Sequence, residues 1–463
     1  MITIKNLSYS YPFAQKSAIE NISLNIKEGE CVLITGESGC GKSTLLRVIN
    51  GLAPKYFKGD ISGEVTIDGV DTNSISLTDL SAKVATVLQD PEQQFFTLNV
   101  KNELEFSMEC NSGKQIYSIE ELTELFSLEK IINGSIFDLS EGEKQKVALA
   151  SSILTGSKII VLDEPSANLD YNSTNLLKEQ LQRLKSLGFT IVLVEHKIYW
   201  SRGLADSYYL FFNGILTKYE SIDSLTEDGL EKGAELRSPV VDRDIFTNLK
   251  NEVSESSDLA LEINNLNFAY KKKRKIFEDF SLKIGKGKII SITGKNGRGK
   301  TTLAKILTGI LKSSSGEIKI GGVARKRREL KKFCTLVTQA SDHQLYMKSV
   351  KDEIGLAQKM VKSEIFFTQE KLLEMFNLKH LEDRHPQTLS GGEKQRLTIL
   401  CSIAIKPDIL ILDEPTSGLD GKNLNRLVKI LKQITEKGVT ILLITHDAEL
   451  ISNCCTGNIN LDD

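Results

Sequence analysis

Along the chain, short apolar runs rich in β-branched residues alternate with longer segments of helical period. Lys158-Ile-Ile-Val-Leu162, Thr190-Ile-Val-Leu-Val194 and Ile409-Leu-Ile-Leu412 are strand-length and apolar throughout, which predicts strands buried on both faces. Asn175 to Leu187 has helical spacing, and strands alternating with such helices predict a mostly parallel sheet covered on both sides. Met1-Ile-Thr-Ile-Lys-Asn-Leu7 and Gly63-Glu-Val-Thr-Ile-Asp-Gly69 instead alternate with period two. They predict half-buried strands of an antiparallel layer, with the first at a sheet edge. Glu103 to Ile132 reads as a helical insertion.

This pattern occurs twice. Gly36-Glu-Ser-Gly-Cys-Gly-Lys42-Ser43-Thr44 returns as Gly294-Lys-Asn-Gly-Arg-Gly-Lys300-Thr301-Thr302, and Leu162-Asp-Glu-Pro165 returns as Leu412-Asp-Glu-Pro415. Gln89 and Gln339, Ser140 and Ser390, Asp163 and Asp413, and His196 and His446 are equally far apart. The two lysines are spaced slightly wider, so the first copy carries extra residues between Lys42 and Gln89, partly in Ala53 to Ser62. Residues 1–226 and 259–463 therefore form two domains. The connection 227–258 loses hydrophobic periodicity, gains serine and acidic residues, and contains Pro239. The expected fold is α/β: two tandem P-loop NTPase domains, each with a mostly parallel sheet core, an antiparallel β subdomain and a helical subdomain.

Composition narrows the classes. A chain of 463 residues with 40% hydrophobic and 26% charged residues can bury two large cores. A net charge of -2 gives no general ground for nucleic-acid binding. The seven cysteines form no CxxC pair, which fits a reducing compartment without structural zinc. The polar start Met1 to Asn6 is unlike a secretory signal, and no stretch approaches the ~20 apolar residues of a membrane-spanning helix. A membrane role would therefore come through a partner.

The two glycine-rich segments satisfy the P-loop pattern, each after an apolar strand and before a helix. In the first copy the candidate ATP ligands are Gly36, Glu37, Ser38, Gly39, Cys40, Gly41, Lys42, Ser43 and Thr44. In the second they are Gly294, Lys295, Asn296, Gly297, Arg298, Gly299, Lys300, Thr301 and Thr302. The glycines let backbone N–H groups curl around phosphate at a helix N-terminus, and each lysine reaches the β- and γ-phosphates. Ser43 and Thr301 place a hydroxyl on Mg²⁺. Asp163 and Asp413 end buried strands at the carboxyl edge of the sheet and are further Mg²⁺ ligands. The adjacent Glu164 and Glu414 are placed to orient or deprotonate the attacking water; an acidic cap on the next helix is the plain alternative.

Leu389-Ser390-Gly391-Gly392-Glu393, between a P-loop and Leu412-Asp413-Glu414-Pro415, resembles the signature motif of ATP-binding cassette (ABC) proteins, and the match extends over both halves. The resemblance implies that the signature serine and glycine N–H groups bind the γ-phosphate held by the opposite cassette. Ser390, Gly391 and Gly392 would then complete the Lys42 site, and Ser140 and Gly142 the Lys300 site, with intramolecular pairing in place of a homodimer. It also implies a Mg²⁺- and water-sensing role for Gln89 and Gln339, γ-phosphate contact for His196 and His446, and adenine stacking for Tyr11 and Tyr270, for which core packing is the rival. Ser166 to Asp170 and Thr416 to Asp420 resemble the loop through which one cassette senses the other.

One position departs from the family pattern. The first signature reads Leu139-Ser140-Glu141-Gly142-Glu143. A carboxylate about 5 Å from phosphate, at an effective dielectric near 20, repels each charge by roughly 3 kcal/mol. Glu141 must therefore turn away or weaken that site, and faster hydrolysis at the Lys42 site is the expected asymmetry.

Gln89-Asp-Pro-Glu-Gln-Gln-Phe-Phe96, Ser140-Glu-Gly-Glu-Lys-Gln-Lys146 and Val194-Glu-His-Lys-Ile-Tyr199 resemble the energy-coupling-factor class of micronutrient importers in its single-chain form. That resemblance implies an integral-membrane coupling subunit fitting grooves beside the two glutamine loops, a substrate-binding membrane subunit, and a place at the cytoplasmic face of the cell membrane. The alternative is a soluble twin-cassette ATPase acting on the ribosome. The acidic, Pro-broken connection suits RNA contact poorly. Lys271-Lys-Lys-Arg-Lys275 and Arg325-Lys-Arg-Arg328 are the concentrated basic runs, read first as solvated loops and otherwise as contacts to anionic lipid or an acidic partner.

Overall fold

Residues 1–14, 16–110, 117–242, 244–249, 258–270, 275–295, 297–338, 344–361 and 365–462 are described by a computed structural model. Contacts divide the chain into two compact units. One is Met1–Val240 with the short segment Gly418–Lys422; the other is Val241–Ser417 with Asn423–Asp463.

The first unit is built on a six-stranded sheet. Val84–Val87, Ile159–Asp163, Thr190–Val194, Cys31–Gly36 and Ser207–Phe212 run parallel in that spatial order, and Ile215–Tyr219 closes the edge as an antiparallel hairpin. The apolar runs have no polar face because successive residues enter two different cores. Leu33, Ile160, Leu162 and Leu193 pack with Val147 and Leu149 of the helix Glu141–Leu154. Val32, Ile34, Val161 and Val192 pack with Leu45 and Ile49 of the helix Lys42–Ile49. Each fully buried Leu, Ile or Val contributes about 1.5–3 kcal/mol of transfer free energy.

The antiparallel layer has the order Ile19–Ile26, Ile2–Ser10, Asp60–Ile67, Val70–Asp71. Ile2–Ser10 is thus hydrogen-bonded on both sides and is not the edge strand its pattern predicts. The alternation reports one buried face, which an interior strand of a one-sided sheet also has. The helical insertion appears as Val100–Glu109 and Ile119–Phe126, anchored by Leu104, Leu122 and Phe126 in the same core as Val147. Beyond the last strand, the helix Ile222–Glu231 runs across position 227, and Leu225 and Ala234 remain in the first unit's core.

The second unit repeats the plan. Cys334–Val337, Ile409–Asp413, Thr440–Ile444, Ile289–Thr293 and Gly457–Asn460 form a wholly parallel sheet. Its antiparallel layer runs Lys275–Gly285, Leu259–Ala269, Ser315–Ile320, Val323–Ala324, with Leu259–Ala269 again interior. Residues 251–257 of the connection and 271–274 of the first basic run lie outside the described residues. Among the described residues no helix is long and apolar enough to cross a membrane. All seven cysteines are free thiols. In each unit the carboxyl ends of three neighbouring parallel strands bring the P-loop, the acidic pair and the histidine to one edge of the sheet, where doubly wound folds hold their ligands.

Candidate active site

In the first cassette the strand Cys31–Gly36 turns directly into the helix Lys42–Ile49. Only glycine fits at Gly41: φ is 107°, and a Cβ would lie 2.6 Å from the Ala18 carbonyl oxygen and 2.7 Å from Ile19 Cγ2. Gly299 is constrained alike, with φ 103° and Ile276 Cγ2 at 2.5 Å from the added atom. Lys42 Nζ crosses the loop and donates to Gly36 O (2.9 Å) and Glu37 O (2.8 Å). Lys300 Nζ does the same toward Gly294 O (2.5 Å) and Lys295 O (3.3 Å). The Ser38 N–H donates to Asp420 Oδ2 at 2.6 Å, and Lys422 pairs with Glu37 at 3.1 Å, both within the first compact unit. Arg298 differs from its neighbours: its Nε donates to Asp462 at 2.7 Å, and the Lys295 N–H meets the same carboxylate at 2.9 Å. Asn296 and Gln339 lie outside the described residues.

The structure brings the acidic residues to the same mouth. Ser43 Oγ is 3.4 Å from Asp163 Oδ1, and Thr301 Oγ1 donates to Asp413 Oδ2 at 3.0 Å. Burial lifts the Asp163 carboxyl to about 6; neighbouring Glu164 adds to the rise, while Ser43, Lys42 and Arg47 oppose it. Asp413 is raised by burial too, against Thr301 and Lys300. A half-buried carboxylate beside a hydroxyl is an oxygen set suited to a hard divalent cation.

Glu164 and Glu414 sit at φ 46° and 48°, a left-handed backbone that a long side chain adopts only under constraint. Their N–H groups bond to Val194 O (2.9 Å) and Ile444 O (2.8 Å), fixing the turn. The Glu164 carboxylate is then met by Gln89 Nε2 and His196 Nε2, each at 3.2 Å. Burial alone would raise this carboxyl, but the charge and hydrogen bond of His196, with Lys42 behind, hold it below the ordinary range. Glu414 Oε2 instead accepts from Thr445 Oγ1 at 3.1 Å.

Thr445 marks a difference that sequence reading missed, because the first cassette has Glu195 there. Glu195 is buried and accepts from Ser166 Oγ (2.6 Å) and from the N–H groups of His196 (2.8 Å) and Lys197 (3.1 Å). Trp200 Nε1 donates to the same serine hydroxyl at 3.1 Å. Burial raises the Glu195 carboxyl. The only signal was a charged residue ending an otherwise apolar strand.

Ser140 and Ser390 each head a long helix through a capping box. Their N–H groups donate to Glu143 and Glu393, both at 2.8 Å, which explains the glutamate that closes each signature. A Cβ on Gly142 would stand 2.8 Å from Ser173 Oγ, whereas one on Gly391 would meet nothing within 4 Å. The position of Glu141 therefore has room for a side chain, and that side chain turns to Lys144, whose Nζ lies 2.8 Å from its carboxylate. The same ammonium also bonds Glu92, on the loop after Gln89.

Tyr11 and Tyr270 stand alike over their P-loop helices. Their hydroxyls lie 3.2 Å from Thr44 Oγ1 and Thr302 Oγ1, and Arg47 also donates to Tyr11 at 2.7 Å. Each ring meets a neighbour edge-on, Tyr9 at 5.0 Å and Phe268 at 4.9 Å.

Residues 19–167 and 277–417 match the family model described as ABC transporter. The chain belongs to the ABC transporter family. The two matched segments hold both P-loops, both signatures and both acidic pairs of this ABC protein and stop short of His196 and His446. A Treponema denticola "Putative ABC transporter ATP-binding protein" is 37% identical over all of this chain and 95% of its own length. A Bacillus subtilis "Putative HMP/thiamine import ATP-binding protein" is 32% identical, over all of this chain and 90% of its own. Among solved structures, an archaeal ribosome recycling factor in complex with a ribosomal stalk protein aligns with TM-score 0.65 and 23% identity, over 98% of this chain and 87% of its own. That last likeness is one of fold. Like its family, this ABC protein is an ATPase built from two P-loop cassettes.

Proposed function

We propose that this ABC ATPase powers an importer, of the energy-coupling-factor type for a micronutrient, acting at the cytoplasmic face of the cell membrane through an integral-membrane coupling subunit and a substrate-binding membrane subunit. The observation that carries the proposal is the end-to-end likeness to the Bacillus subtilis import ATP-binding protein. Exposed aromatic side chains support it: Phe96, on the loop after Gln89, is 78% exposed, and Phe137 and Tyr346 are exposed as well. Apolar surface of that kind beside a nucleotide-responsive loop suits a protein partner.

In each cassette the P-loop amides and Lys42 or Lys300 bind the phosphates of ATP. Ser43 with Asp163, and Thr301 with Asp413, would hold Mg²⁺, which when bound neutralises phosphate charge. Glu164 takes the proton of the water whose oxygen bonds to the γ-phosphorus as the bond to the β-phosphate oxygen breaks; Glu414 does so in the second cassette. Gln89 and His196 orient the Glu164 carboxylate from two sides, and His196, with Lys42 behind, favours its ionised form. Tyr11 and Tyr270 stack on adenine, and the helix ends at Ser140 and Ser390 present N–H groups suited to an anion.

The test is to solubilise native membranes and identify what remains bound to the chain. A polytopic membrane protein is expected; ribosomes in its place would overturn the importer reading and favour a role in translation.

A further inference from the structure

The duplication allows the two cassettes to be compared position by position. Buried Leu80 and Leu330 correspond, and each lies in a short helix, Leu77–Ser81 or Arg327–Leu330, capped at Ser76 or Lys326 by Asp79 or Glu329. Around this shared frame the first cassette reads Ser76-Leu77-Thr78-Asp79-Leu80-Ser81-Ala82 and the second Lys326-Arg327-Arg328-Glu329-Leu330-Lys331-Lys332. Every position except the acidic cap and the buried leucine has changed from neutral to cationic.

In the first cassette this segment walls an open cavity of about 480 Å³, together with Asn50 and Leu52 after the P-loop helix and Thr86 of the strand that leads to Gln89. Leu77, Thr78 and Ser81 contribute to the lining, and no charged side chain does. In the second cassette, Arg327 replaces Leu77 and binds the turn that follows the P-loop helix, donating from Nε to Gly309 O at 2.8 Å and from Nη2 to Ile310 O at 2.9 Å. A cation that satisfies two carbonyls of a turn has a structural use. Arg325 has one too, lying 4.1 Å from the centre of the Phe333 ring. Lys326, Arg328, Lys331 and Lys332 have no such use. All four are exposed, none makes an ion pair among the described residues, and Ile310 beside them is 57% exposed. Elsewhere in this unit Lys319 and Lys351 do find carboxylates. Four like charges on one short segment repel one another, and the sister cassette folds with none of them.

Resting on the reading that the chain drives a protein partner, we propose that the second cassette docks an acidic segment of that partner on Lys326, Arg328, Lys331 and Lys332, whereas the neutral cavity of the first accepts an uncharged one. Charge then gives a duplicated chain a single orientation on its partner, because exchanging the segments would set acidic residues against an uncharged pocket.

The experiment titrates the full chain with labelled synthetic helices of roughly 18 residues that share one leucine face and carry Glu, Gln or Lys elsewhere, at about 50 and about 300 mM salt. Arg328→Thr with Lys331→Ser gives the second cassette the first cassette's residues; Thr78→Arg with Ser81→Lys does the reverse. The Leu/Glu helix is expected to bind the parent chain most tightly and to weaken with salt. It should lose roughly tenfold in affinity with Arg328→Thr/Lys331→Ser, and gain a second site with Thr78→Arg/Ser81→Lys. ATP turnover without partner should be unchanged in Arg328→Thr/Lys331→Ser, showing that the fold is intact. Equal Leu/Glu affinity in parent and Arg328→Thr/Lys331→Ser would overturn the proposal. So would sedimentation with phosphatidylcholine–phosphatidylglycerol vesicles that depends on these residues while the Leu/Glu helix fails to bind, which would assign the patch to lipid. Either failure leaves the importer reading standing if a membrane protein co-purifies; ribosome co-purification would remove that reading and leave the peptide result intact.

Discussion

Replacing Glu164 by Gln tests the chemistry most directly, and replacing it by Gly separates chemistry from structure. Glutamine keeps the shape that Gln89 and His196 meet at 3.2 Å but cannot take a proton. A positioned general base is worth about 10²–10⁴ in rate, or about 3–5.5 kcal/mol of barrier. Turnover at that site should fall to about 1% or less while ATP is retained. Glycine removes the carboxylate and also relieves the left-handed backbone at φ 46°, worth about 1–2 kcal/mol. Against this stand the loss of the buried methylenes, up to about 1.5 kcal/mol, and glycine's extra chain entropy, about 1 kcal/mol. The net stability change should lie between a loss of about 1.5 kcal/mol and a gain of about 1 kcal/mol. Both variants are made in a Glu414→Gln background so that one site is followed, with phosphate release for turnover, filter binding for ATP and urea unfolding for stability. Glu164→Gln keeping a tenth or more of its turnover would refute the general-base role. Glu164→Gly losing several kcal/mol of stability together with its activity would show that the residue serves the fold.

Other predictions follow from particular contacts. His196→Ala removes the partner that holds the Glu164 carboxyl down, so the acid limb of the turnover–pH profile should move to higher pH; an unmoved limb would contradict the pairing. Asp163 takes up its proton as pH falls through about 6, so the Mg²⁺ concentration for half-maximal turnover should rise below that pH and be flat above about pH 7, as titration at several pH values would show. Gly142→Ala forces a Cβ to within 2.8 Å of Ser173 Oγ and should cost about 1–3 kcal/mol in urea unfolding, partly recovered by Ser173→Gly, whereas Gly391→Ala, with open space, should cost little. Lys144→Met leaves Glu92 and Glu141 facing each other without their shared cation; since both are partly exposed, a loss of about 1–2 kcal/mol is expected, relieved by adding Glu141→Gly.

Much of the architecture was legible because two periodicities and one duplication carry it. Leu33 and Val32 enter opposite cores as an unbroken apolar strand predicts, and the glycine spacing at Gly41 and Gly299 reflects contacts that admit no side chain. The interior place of Ile2–Ser10 was not legible, since alternation records burial of a face and not the number of hydrogen-bonded neighbours. The contacts of Glu195 with Ser166, Lys144 with Glu92 and Asp462 with Arg298 were not legible for a related reason: each joins residues far apart along the chain, and a lone charged residue carries no local pattern. Glu141 was legible as an anomaly, but the ammonium that answers it was not.

Lys144 joins two elements of the first cassette. One ammonium is shared by a carboxylate on the loop after Gln89 and another on the turn that opens the signature helix, so a tug on either element alters the pull on the other. Gly391 has no side chain to form the corresponding link. A partner leaning on the loop of the first cassette would thereby be felt at the head of its signature helix through an electrostatic tether.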